Sequence, residues 1–189
     1  MGRRQMEMLL AQHCAPTLTG LKAASMVALP GQSLEELGDF FQSYARCFAC
    51  KGLKIMELRQ QRHHVLLLVY RPSVLKRLLR RLLAGKILQK CGYPETSSLE
   101  ELLAFLRRRI HEGEEFPHEI GLFLGYPPGD VAGFIRHRGQ KFCYCGFWKV
   151  YGNEKAVRRL FQCYNGCIKR VCDGLAAGMS LQSMVRSAA

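Results

Sequence analysis

The chain is short of acid. Of its 189 residues only 15 are Asp or Glu, against 28 Lys or Arg, which gives a formal net charge of +13 at pH 7. It also lacks a long hydrophobic run. Val65 to Tyr70 falls far below the ~20 residues that a membrane-spanning helix needs. Near the start, Met8 to Ala11 ends at Gln12-His13, too short for a signal-peptide core, and Glu7 sits in its approach. The expectation is a soluble, unexported, cytoplasmic protein with no membrane partner. There is no internal repeat, low-complexity tract or long linker, which excludes solenoid, collagen-like and generally disordered architectures. What is present suffices for a core: 48% of residues are hydrophobic and 23% charged. One domain is expected over residues 1–178, with 179–189 as a C-terminal extension prone to fray.

Two features are abundant. Nine cysteines stand at irregular spacing, an odd number, which in an unexported chain points to reduced thiols. The positive charge is concentrated. Eleven bases and one acid, Glu57, lie between Lys51 and Lys90. Such a window attracts polyanions or acidic proteins, or simply forms a solvated helix face.

The pattern predicts a short helix over 5–12, ended near His13 because Pro16 disfavours helix at Ala15. Thr17 to Leu29 follows as an extended segment. Ser33-Leu34-Glu35-Glu36 reads as a capping box for a helix carrying Leu37, Phe40, Phe41, Tyr44 and Phe48, closed near Lys51-Gly52. Leu53 to Arg59 and Val65 to Tyr70 make a hairpin whose aliphatic second arm is a central strand. One helix is expected from Val74 to Lys90, with an apolar stripe opposite Lys76, Arg77, Arg80 and Arg81. Ser98-Leu99-Glu100-Glu101 opens another helix. Ile120 to Leu124 and Phe142 to Tyr151 read as strands that could pair in a parallel crossover through a helix over Asp130 to His137. A last long helix is broken at Gly174. The order favours an α+β fold, a largely antiparallel sheet packed with helices.

Several constellations could carry chemistry. His13-Cys14-Ala15-Pro16 joins a possible nucleophile or soft metal ligand to a turn, with Lys22 able to supply positive charge. A buried, inert cysteine is the plainer reading. His118-Glu119 stands where a proton relay could form, and Cys14, His118 and Glu119 are the candidate catalytic set, although strand alternation would turn His118 and Glu119 apart. Cys47-Phe48-Ala49-Cys50 ends a helix rather than starting one, which is unfavourable for a redox motif. Neither Cys143-Tyr144-Cys145 nor Cys163 with Cys167 and Cys172 completes a standard zinc pattern. Lys76, Arg77, Arg80 and Arg81 could track a nucleic-acid backbone or dock an acidic protein. No aromatic RNA-binding motif or glycine clamp accompanies them.

Three segments are similar to a known family. His13-Cys14-Ala15-Pro16-Thr17-Leu18-Thr19-Gly20-Leu21-Lys22 resembles its opening. His118 to Pro127, with Asp130-Val131 and Gly133-Phe134-Ile135, resembles its second signature, and Cys145 to Gly152 its third. This is domain-of-unknown-function family 3793, uncharacterised proteins of anaerobic Gram-positive bacteria. Residues 31–115 resemble it only loosely. The resemblance implies a single-domain cytoplasmic protein and no particular activity. It directs attention to His13, Lys22, Tyr126, Trp148 and Lys149 as ligand-binding residues beside Cys14, His118 and Glu119. Three readings follow: a small ligand, cofactor or metal held, or thiol chemistry performed, at a Cys14/His118 pocket; an adaptor for nucleic acid or acidic protein; and a redox or metal-cluster protein. Cofactor, metal, oligomeric state and enzymatic character are left open by the residues.

Overall fold

The computed structural model describes residues 2–31, 37–95, 97–113 and 115–187. The fold is α+β, as expected, and the chain divides into two compact units. Residues 1–74 and 164–189 make the first unit and Leu75–Cys163 the second.

The first unit starts with α1 (Arg3–Leu18), followed by β1 (Ala24–Pro30), α2 (Gly38–Cys50), β2 (Lys54–Gln61) and β3 (His64–Tyr70). The strands form an antiparallel sheet in the order β1-β3-β2. The aliphatic β3 is central, with Val65, Leu67, Leu68 and Val69 buried. The expected hairpin is present, turning at Arg62-His63, and a bulge interrupts β2 between Glu57 and Arg59. The capping box expected at Ser33 lies outside the described residues. The helix that follows it stacks Phe40, Tyr44 and Phe48 on the core and ends at Lys51-Gly52, where Gly52 takes a φ of 66°.

The opening helix departs from expectation. It passes His13 and runs through Pro16 to Leu18. Pro16 sits in the last turn, where its missing N–H deprives only the carbonyl of Gln12, an exposed residue that water can serve. Continuing the helix buries Cys14, Ala15 and Leu18, which outweighs that loss. Thr19 Oγ1 then donates to Ala15 O at 2.8 Å, and Leu21 N donates to Pro16 O at 2.8 Å, closing the helix end.

The second unit contains most of α3 (Pro72–Leu79), α4 (Leu82–Lys90), α5 (Leu99–Glu112), α6 (Ile120–Phe123), α7 (Pro128–His137), β4 (Tyr144–Cys145) and β5 (Lys149–Val150). The helix expected over Val74 to Lys90 is two, broken at extended Arg81. A straight helix would carry Lys86 and Lys90 round to the face of Leu75 and Leu79. The break re-phases the chain, so that Ala84, Ile87 and Leu88 are buried instead. The second capping box is formed: Ser98 Oγ accepts from Glu101 N at 3.2 Å, and Ser98 N donates to Glu101 Oε2 at 2.7 Å.

Two expected strands are corrected. Ile120 to Leu124 forms a helical turn rather than a strand. An apolar run of this length fits a buried helix as well as a strand, and all four residues of α6 are buried. Phe142 to Tyr151 folds back on itself as a hairpin, β4 against β5, with Gly146 in its turn pressed on the Phe161 ring, where a Cβ would lie 2.4 Å from Cε2. The parallel crossover between these segments therefore does not form.

Helix α8 (Glu154–Ala176) has residues in both units and continues past Gly174. Helix α9 (Leu181–Met184) follows. Leu181 and Val185 are buried in the first unit's core.

Candidate functional site

In the first unit a buried cation serves the backbone, while the buried hydroxyls of Thr17 and Ser25 pair with each other at 2.8 Å. Arg71, 1% exposed, donates Nε to Thr17 O at 2.8 Å and Nη1 to Lys51 O at 2.6 Å. Its Nη2 donates to Leu18 O at 3.0 Å and to Arg186 O. The acceptors include carbonyls at the C-terminal ends of α1 and α2, the negative ends of two helices. Burial lowers the Arg71 pKa, and the carbonyls take the place of a counter-ion.

Cys14 is fully enclosed in this unit's apolar core. Burial pushes its thiol up to about 12, with Lys22 acting in the opposite sense, so it is a protonated thiol at neutral pH. Burial likewise holds Lys22 down to about 8. His13 is exposed on α1.

The second unit leaves a cleft of about 1060 Å³. It is built by three segments: residues 115–121, the region from Tyr126 through α7 to Arg138, and the β4–β5 hairpin. Asp130 ties α7 to the hairpin. Its Oδ2 accepts from Trp148 Nε1 at 2.8 Å, while Oδ1 accepts from Tyr151 N at 2.8 Å and Gly152 N at 2.9 Å. A carboxylate taking three N–H donors is strongly held although it is buried. It would suit a cap for α7, but its side chain reaches the hairpin instead. Close backbone approach adds to this: a Cβ on Gly133 would lie 2.4 Å from the Tyr151 ring.

The walls are aromatic. Tyr126 stacks on Trp148 with centroids 4.6 Å apart, and Trp148 meets Phe161 edge-on at 4.5 Å. Phe116 and Phe147 are more than a third exposed. Burial raises the Tyr126 pKa. Cations accompany the rings. Lys149 Nζ donates to Gly139 O at 2.8 Å and lies 5.8 Å from the Phe134 centroid. Arg138, in the left-handed conformation with φ 50°, is exposed on the same cleft. His118 is exposed and packs edge-on to Phe134 at 5.0 Å. Among the described residues no hydrogen bond occupies its ring nitrogens.

Of the residues singled out in the sequence, His118, Tyr126, Trp148 and Lys149 line this one cleft. Glu119 does not. Its carboxylate is buried, accepting from Arg109 Nε at 2.6 Å and Tyr93 OH at 3.2 Å. The side chains of His118 and Glu119 diverge, though in a helical turn rather than a strand. Cys14, His13 and Lys22 belong to the first unit. Sequence reasoning passed over Phe134, Arg138 and the tying role of Asp130. Gly133-Phe134 lay in the second signature, but nothing local shows that a carboxylate on α7 reaches a hairpin eighteen residues on.

Lys76, Arg77, Arg80 and Arg81 are exposed on α3 and the turn after it. Among the described residues no group of three or more His, Cys, Asp or Glu side chains is placed to hold a metal ion, and no helix is long and apolar enough to cross a membrane.

Comparison with known proteins gives one match. The chain belongs to the family described as protein of unknown function DUF3793, whose model matches residues 10–185. No curated protein and no solved structure matches it.

Proposed function

We propose that this member of the family binds a small planar anion in the cleft of its second unit, with His118, Tyr126, Trp148 and Lys149 as binding residues. The observation that supports this is convergence. The second and third signature segments, separated by the α7 C-terminus and the loop after it, supply most of the lining of one cleft. Ligand pockets are typically concave, mainly apolar, and equipped with a few polar groups. Here the rings of Phe116, Phe134 and Phe147 offer faces and edges to a flat body. Lys149 and Arg138 offer charge to its anionic group. His118 is available to hydrogen-bond the ligand through its exposed ring. The reading rests on His118 rather than on Cys14, because a thiol held up to about 12 is a poor nucleophile. It keeps the protein in the cytoplasm, the compartment its odd number of cysteines favours.

The test uses a built-in reporter, since Trp148 is the sole tryptophan. AMP and adenosine share a flat ring and differ in charge. AMP should quench Trp148 emission saturably and bind about tenfold or more tighter than adenosine. Lys149→Ala should abolish that preference. Equal binding of the two probes, or AMP binding untouched by Lys149→Ala, would overturn the proposal.

A further inference from the structure

A second concavity of the same unit stands apart from the cleft in its lining and its chemistry. It is a groove of about 690 Å³ between the α3–α4 corner and the segment leading into α5. Its floor is apolar: Leu79, Leu88 and Leu99 are buried there. Its rim is cationic: Lys76, Arg80, Arg81 and Lys86 line it and are exposed. Among the described residues that line it, the one acid, Glu95, accepts a hydrogen bond from Gln89. At the corner the apolar surface breaks through the charge. Leu82 is 77% exposed at the groove edge, and its neighbour Leu83 is 46% exposed. The re-phasing of α4 that buries Ile87 and Leu88 is what leaves these leucines outside.

We infer that this groove docks an acidic, amphipathic segment of a partner protein, a helix with leucine-like side chains on one stripe and carboxylates beside it. Charge complementarity selects the sign of the partner, because no Asp or Glu occurs between Glu57 and Glu95. The apolar floor and Leu82 select its kind. A nucleic-acid backbone gains little from exposed leucine, and the groove's tyrosine, Tyr93, is buried and unable to stack a base. An apolar stripe laid into an apolar groove with ion pairs at the edge is an established peptide-recognition mode. A second copy of this chain is a poor occupant, since it brings a net charge of +13. The inference is independent of the ligand proposed for the cleft.

The test measures fluorescence anisotropy of the whole protein with synthetic probes. One is a fluorescein-labelled helical peptide with Leu at i, i+3, i+4 and i+7 and Glu at most other positions. Its control carries Ser for every Leu. The Leu/Glu peptide should bind saturably and about tenfold or more tighter than the Ser/Glu control. The double variant Arg80→Glu/Arg81→Glu should weaken it about tenfold or more, and Leu82→Ser should weaken it severalfold. Leu82 is exposed, so that variant should fold normally, which its far-UV circular dichroism checks. The charge-matched variant Lys155→Glu/Arg159→Glu, on α8 and outside the groove, should leave binding within twofold. Equal binding of the two peptides would overturn the inference. So would equal weakening by the α8 variant, or tighter Arg80- and Arg81-dependent binding to single-stranded DNA or phosphatidylglycerol vesicles.

Discussion

The two units each put a buried charged side chain to a different use. In the first, Arg71 commits its guanidinium to four backbone carbonyls, and Cys14 is sealed among hydrocarbon. In the second, Asp130 is also fully committed, but what it fixes is the wall of an open cleft, where His118 and Arg138 stay accessible. Lys149 gives one N–H to Gly139 O and has three. The difference separates reactive-looking residues enclosed by the fold from those left facing an open cleft. Residue type does not make that distinction, since a cysteine beside a lysine looks more reactive on paper than a histidine beside a phenylalanine.

The largest effect is expected at Arg71. Replacing it with Leu removes the guanidinium from all four carbonyls: Thr17 O and Leu18 O keep one backbone donor each, from Gly20 N and Arg186 N, while Lys51 O and Arg186 O lose that donor. Stability should fall by about 3–5 kcal/mol, read as a shift in the urea midpoint by far-UV circular dichroism. A loss under 1 kcal/mol would mean that those helix ends find other partners and that the clamp is not what distinguishes the first unit.

Next comes Asp130→Ala, which strands the indole N–H of Trp148 and the amides of Tyr151 and Gly152. It should cost about 2–4 kcal/mol and also shift and broaden Trp148 emission, because the cleft wall loses its tie. Unchanged emission would argue that the aromatic stack alone positions the hairpin.

The smallest effect is a pH dependence in the first unit. Lys22 titrates near 8 when folded, below its ordinary value of 10.5. Over that interval the unfolded chain holds more protons, so Lys22 makes stability rise with pH between about 8 and 10.5. Cys14 acts in reverse. Its raised pKa leaves the folded state with more protons between 9 and about 12, so stability falls there. Lys22→Met should remove the rise and leave the fall, a difference of roughly 1–3 kcal/mol near pH 10. Parallel pH profiles for the two proteins would show that Lys22 is solvated and the first unit less sealed than described.

Local chemistry was legible where one short segment decides its own fate. The Ser98 capping box, the aliphatic central strand β3, the hairpin at Arg62-His63 and the stop at Gly52 all follow from side chains acting within a few residues. It failed where the deciding partner is distant. Pro16 ought to end a helix, yet core burial of Cys14 and Leu18 carries the chain through it. Ile120 to Phe123 has a composition that suits strand or helix, and packing selected the helix. The candidate site divided in the same way. The signature segments pointed to His118, Tyr126, Trp148 and Lys149, whereas Phe134, Arg138 and the tether from Asp130 to the hairpin emerge only from the folded chain.

By itself, then, the sequence determined the α+β class, the concentration of positive charge and the residue types able to act, because composition and short-range periodicity carry that information. The tertiary structure decided which of those residues are enclosed and which stay exposed. Exposure and hydrogen-bond partners depend on segments far apart in the chain. Those long-range contacts enclosed the sulfur of Cys14, bound Glu119 to Arg109, and left the ring of His118 open to solvent.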